Sequence, residues 1–249
     1  MALQLRKPSI SPVTMVIAGE QGLGKTTLAS LLPSPVLIPV EDGTSSLSEM
    51  DIDIFDQPKN TTDVHQYIKD LATSEHDFKT LIIDSTTAYD AMIVKEIQAR
   101  NNTSNLSACD GGFGGGYHSV RSEHEKLRAY CDRLRREKGM NIVFISHTDV
   151  EEITPPDSEP YTRYTIQCTK SKSVDTSKVY TNDADVVAFV KLKTLAMDGR
   201  AKSDGSRIIT CYPHAAHVSK NRFDITKDLP FEKGVNPFDG IVKQLTKGN

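Results

Sequence analysis

The sequence predicts an α/β fold with a mainly parallel central sheet flanked by helices and an antiparallel C-terminal extension. Two observations predict the parallel part. The pattern G-x-x-x-x-G-K-T, Gly19 to Thr26, lies between a strand-like run, Val13–Ala18, and a helix-like run, Thr27–Leu32; a phosphate-binding loop needs this strand–loop–helix context. Short apolar runs then alternate with longer amphipathic segments, as in a parallel sheet covered by helices. A third observation predicts the extension. Beyond Asp149 come Pro155, Pro156, Pro160 and a Ser/Thr/Lys-rich stretch, and then strand-like runs at Asp185–Lys193 and Arg207–Tyr212.

The first strand, Val13–Ala18, delivers the chain to the loop. Gly19, Gly22 and Gly24 let the backbone fold tightly so that amides, including those of Glu20, Gln21 and Leu23, can point at phosphate oxygens. Lys25 is placed to reach the β- and γ-phosphates, the Thr26 hydroxyl to ligate Mg²⁺, and Thr27 to open the helix. The second strand, Val36–Val40, ends in Glu41-Asp42-Gly43. Ligands in such sheets sit at the carboxyl ends of the strands, so Glu41 is the candidate general base. Asp42 is the neighbouring alternative, and a solvated turn carboxylate is the third reading. A helix is expected over Thr61–Ser74. The third strand, Thr80–Asp84, closes an apolar run on a carboxylate, which suits a metal partner to Thr26; a cap for the helix at Thr86–Arg100 is the simpler reading of Asp84. The glycine-rich stretch Asp110–His118 reads as a loop. A long helix, Ser119–Lys138, carries basic and acidic residues together, which is the pattern of a solvated face. The fourth strand, Asn141–Ser146, leads to His147.

Composition narrows the function classes. The 249 residues are 37% hydrophobic and 25% charged, enough for one large core, and neither a linker nor a repeat divides them, so a single domain over 1–249 is expected. No apolar run is long enough to span a bilayer, which predicts a cytoplasmic protein with no membrane partner. Cys109, Cys131, Cys168 and Cys211 are irregularly spaced and read as reduced thiols. Cys211, His214 and His217 form C-x-x-H-x-x-H, but Pro213 and the strand-like flanks argue against one ligating face. A net charge of −3 makes no global case for nucleic acid.

On these motifs the chain resembles the RecA-like P-loop NTPase core, from about Val13 to Phe231. The resemblance implies ATP and Mg²⁺ as cofactors, Glu41 as the residue that activates water, and a γ-phosphate sensor after the fourth strand. His147 stands there in place of the usual Gln or Asn. Val218-Ser219-Lys220-Asn221-Arg222 looks like the family's K-x-K/R element, so Lys220 and Arg222 are implied to reach a neighbour's ATP within a homo-oligomeric ring or filament. The chain is most similar to core-only phage ATPases of the single-strand-annealing (Sak) type, implying recombination on single-stranded DNA in a bacterial host cytoplasm, with a single-strand DNA-binding protein as a further partner. Two segments match the family's DNA loops. Phe113 and Tyr117 offer stacking faces in the glycine-rich one, and Arg163, Lys170, Lys172 and Lys178 offer phosphate partners in the one after His147. A RecA-fold helicase or packaging motor is one alternative. Another is a ParA/MinD-type assembly switch, although Glu20 and Gln21 stand where that signature has an extra lysine.

Overall fold

The computed structural model describes residues 10–42, 48, 50, 52–197 and 200–246; Gly43, expected in the turn after the second strand, lies outside them. The chain order is β1 (Thr14–Gly19), α1 (Lys25–Ser30), β2 (Pro35–Pro39), β3 (Asp53–Ile54), α2 (Thr61–Thr73), β4 (Thr80–Asp84), α3 (Thr86–Arg100), α4 (Gly115–Lys138), β5 (Asn141–Ser146), β6 (Thr148–Ile153), β7 (Tyr161–Ile166), α5 (Lys178–Thr181), β8 (Val186–Met197), β9 (Arg200–Thr210), β10 (Lys220–Asn221) and β11 (Leu229–Phe231). The main sheet runs β11-β9-β8-β1-β5-β4-β2-β3, with β10 also on β8. From β3 to β8 every pairing is parallel. Pairings β8–β9, β9–β11 and β8–β10 are antiparallel, as the sequence predicts.

Strands β1, β2, β4 and β5 are buried over almost their whole length, so their apolar residues serve two faces. Val16 and Ala18 pack with Ile68 of α2, Ile93 of α3 and Leu127 of α4. Met15 and Ile17 pack on the opposite face with Leu28 of α1 and with Phe238, Val242 and Leu245 near the C-terminus. Each such side chain contributes about 1.5–3 kcal/mol of burial, which makes the strand ends a stiff platform. On the outer side of α4, Arg121–Glu125 and Arg133–Glu137 are exposed i,i+4 ion pairs, the solvated surface its composition suggests, whereas Arg128, paired with Asp132, is buried over the Phe144 ring.

Two differences from the sequence expectation fall in the segments expected to bind DNA. The segment after His147 contains a two-stranded antiparallel sheet, β6–β7, separate from the main sheet. Helix α4 begins at Gly115, four residues earlier than expected, and takes in the end of the glycine-rich stretch. Gly116 is buried there, and a Cβ would stand 2.1 Å from the Leu106 carbonyl oxygen. This glycine permits close packing of the first turn rather than motion. Among the described residues no helix is long and apolar enough to cross a membrane.

Candidate functional site

The loop between β1 and α1 turns on Gly22 and Gly24, both at positive φ; Gly24, at φ 82°, is the residue before the helix. Lys25 follows and is only 6% exposed. Its ammonium donates to the carbonyls of Gly19, at 3.0 Å, and Glu20, at 2.9 Å. Burial holds its pKa below the ordinary lysine value, against the attraction of Asp84, Glu41 and Glu20. Leu23 and Thr27 are half-buried, whereas Glu20 and Gln21 are exposed and line a cleft with His147, Asp149, Tyr164 and Gln167.

Thr26 Oγ1 donates to Asp84 Oδ2 at 2.6 Å, so the two expected metal ligands, 58 residues apart, meet. The helix cap that competed for Asp84 is supplied by its neighbour, because Ser85 Oγ accepts from the Ala88 amide. Asp84 is left facing the loop. Burial raises its pKa, the Thr26 hydrogen bond opposes that rise, and the nearby Glu41 adds to it. A hydroxyl and a half-buried carboxylate side by side are hard oxygen donors of the kind Mg²⁺ takes, so the residues fit that ion.

Glu41 follows β2, and the amides of Val40 and Glu41 both donate to the Asp84 carbonyl, at 2.7 and 3.1 Å. Its Oε2 accepts from Ser85 Oγ at 2.7 Å and from His147 Nε2 at 3.0 Å. The His147 bond, with help from Ser85, holds the Glu41 carboxyl below the usual carboxylate range although burial opposes it. Asp42 is exposed. Of the two carboxylates after β2, Glu41 is therefore the one turned to the Ser85–His147 pair. His147 is fixed from its own backbone, whose amide donates to Thr87 Oγ1 at 3.0 Å; its Nδ1 is buried and has no partner among the described residues.

Other expected residues lie outside this cluster. Lys220 and Asn221 pair with Val187 and Val186, which align with Val16 and Met15 of β1. That register is three residues or more before Gly19, about 10 Å along the strand. Lys220 Nζ donates to the Asn182 carbonyl at 2.5 Å, and Arg222 pairs with Asp185 at 3.2 Å. Neither serves the chain's own phosphate loop.

Phe113 is fully exposed at the tip of the glycine-rich stretch, at positive φ, whereas Tyr117 is half-buried inside α4. Arg163 and Lys170 both pair with Glu151, and Lys178 pairs with Asp175. Lys172 is exposed with no partner among the described residues. Three of the four expected phosphate partners are thus already neutralised locally. His214 and His217 stack at 4.4 Å, while the Cys211 thiol, buried, is pushed up to about 12. Among the described residues no cluster of three such side chains is arranged to hold a metal.

Sequence reasoning missed three features. Ser85 pairs with Glu41 one residue after a motif that drew attention only to Asp84. Arg207, on β9, donates to the Leu23 carbonyl at 3.1 Å; inside a strand-like run it carries no local signal. Asp90 of α3 accepts from the Thr169 amide and hydroxyl and from buried His124, and so ties the helix after Asp84 to the segment bearing Lys170 and Lys172. A family model described as AAA domain matches residues 11–223. No curated protein matches the chain.

Proposed function

The chain belongs to the AAA domain family, a P-loop ATPase fold, and we propose that it is a Mg²⁺-dependent ATPase acting on single-stranded DNA, in the manner of the Sak-type recombination ATPases it resembles. The observation that carries the hydrolytic part is the meeting of Thr26 with Asp84 at 2.6 Å beside a Glu41 held by Ser85 and His147. Lys25 and the loop amides bind the phosphates. Mg²⁺, held by Thr26 and Asp84, would neutralise phosphate charge. Glu41, kept ionised, takes a proton from the attacking water as its oxygen bonds to the terminal phosphorus and the bond to the leaving diphosphate breaks. His147 orients Glu41, and the resemblance makes it the residue that senses the γ-phosphate.

The DNA part rests on the resemblance and on two features of the surface: Phe113 offers an unhindered stacking face, and the Asp90–Thr169 bonds join the second DNA segment to the helix that follows Asp84. Thr87 adds a link, donating to the Gln167 carbonyl while accepting from His147. The same reading takes residues 1–249 as one ATPase domain that assembles with copies of itself, Lys220 and Arg222 acting across the boundary. Hydrolysis measured with and without single-stranded DNA, together with fluorescence anisotropy at low salt, tests it. ATP turnover should rise with DNA, and Phe113→Ala should cost roughly 1–3 kcal/mol of DNA affinity, the worth of one stacked base. Absence of any single-stranded DNA binding, with or without a non-hydrolysable ATP analogue, would leave an ATPase with a different client.

A further inference from the structure

The antiparallel extension reaches the phosphate loop through Arg207, seated on Phe231. Arg207 of β9 lies in register with Phe231 of β11, and its guanidinium stacks over the Phe231 ring at 4.2 Å. From that seat Nη1 donates to the Leu23 carbonyl at 3.1 Å. A Cβ on Gly24 would stand 2.4 Å from the same nitrogen and 3.3 Å from the Phe231 ring, so Arg207 fills the flank of Gly24. Phe231 is 4% exposed, which fixes the platform on which Arg207 lies.

We propose that Arg207 is a positioning residue for nucleotide binding, acting in cis through the Leu23–Gly24 peptide. In a trans peptide the carbonyl and the next amide point in opposite directions. Anchoring the Leu23 oxygen on Arg207 therefore turns the Gly24 amide away from Arg207, toward the inside of the loop, as one of the donors of the phosphate cradle. The guanidinium also sets a fixed positive charge behind a loop that must hold a polyanion. A lysine would supply the charge without the flat fork that lies on an aromatic face. The role covers every nucleotide phosphate bound in the loop, so ADP and ATP are affected alike, which separates it from a group that senses the γ-phosphate.

This inference rests on the nucleotide-binding reading above, and its test keeps the two apart. R207M, R207K, F231L and K25A are compared with the wild type by hydrogen–deuterium exchange of peptides spanning residues 19–26 and by titration with fluorescent ADP and ATP analogues. R207M should speed exchange in the loop without nucleotide and weaken both nucleotides about tenfold to a hundredfold, the range for losing one hydrogen bond to a charged group. R207K should recover part of that loss, and F231L, which leaves the arginine but removes its platform, should reproduce a milder version. A purely structural Arg207 would lower the melting temperature with affinity unchanged in the folded protein. Wild-type affinity and loop exchange in R207M and F231L, while K25A abolishes binding, would overturn the inference alone. No nucleotide binding by the wild type would overturn both readings.

Discussion

Replacing Glu41 by Gln separates binding from chemistry at the centre of the site. Glutamine has the same reach, and its amide oxygen can still accept from Ser85 or His147, which now bond to Oε2 at 2.7 and 3.0 Å. Fold and nucleotide affinity should persist. What is lost is a carboxylate that those two donors keep ionised at neutral pH. A general base of this kind is worth roughly 10²–10⁴ in rate, or about 3–5 kcal/mol of barrier. Single-turnover hydrolysis should fall by that factor while the dissociation constant of a non-hydrolysable analogue changes little. Asp42→Asn, at an exposed side chain, should leave both alone. The pH profile gives an independent check. A base whose pKa is lowered stays ionised until the pH falls below the usual carboxylate range, so the acid limb of turnover should lie there. Ser85→Ala removes one donor and should move that limb to higher pH. Wild-type turnover in Glu41→Gln, or its loss in Asp42→Asn, would refute the assignment.

Lys25→Ala should abolish nucleotide binding, measured by titration, and keep a cooperative melt, because the truncation removes a desolvated ammonium that donates to the Gly19 and Glu20 carbonyls; unchanged ATPase activity would sink the whole site. His217 predicts an acid transition. It is 2% exposed, stacked on Phe189 and beside Lys191, and burial lowers its pKa to about 4. The unfolded chain binds this proton near the ordinary value of 6.5, so the stability is present above that pH and is lost as the pH falls from about 6.5 to 4. The full loss is about 3 kcal/mol. Urea unfolding across that window should show His217→Phe reducing the slope of stability against pH by up to one proton, the remainder coming from other shifted groups such as buried His65.

Local pattern carried the elements whose signals are contiguous. The phosphate loop declares itself in eight successive residues, and β1, β2, β4 and β5 declare themselves as short apolar runs, because a strand buried on both faces must be apolar at every position. Those signals also placed Glu41 and Asp84 at the carboxyl ends of their strands and Lys25 and Thr26 at the start of the helix after the loop. Sequence by itself thus determined the fold class and the end of the sheet that carries the candidate site. Tertiary structure decided which side chains meet. Glu41 rather than Asp42 faces Ser85 and His147, and Ser85 frees Asp84 by taking over the cap of α3. Arg207 finds Leu23 across 184 positions. The stretch expected to be a loose glycine loop is partly the first turn of α4, because Gly116 packs on Leu106. The basic residues after His147 are largely spent on Glu151 and Asp175. The physical reason is common to all of them: periodicity encodes which face of an element is buried, whereas the pairing of side chains depends on strand order and register, which arise only when the whole sheet has assembled.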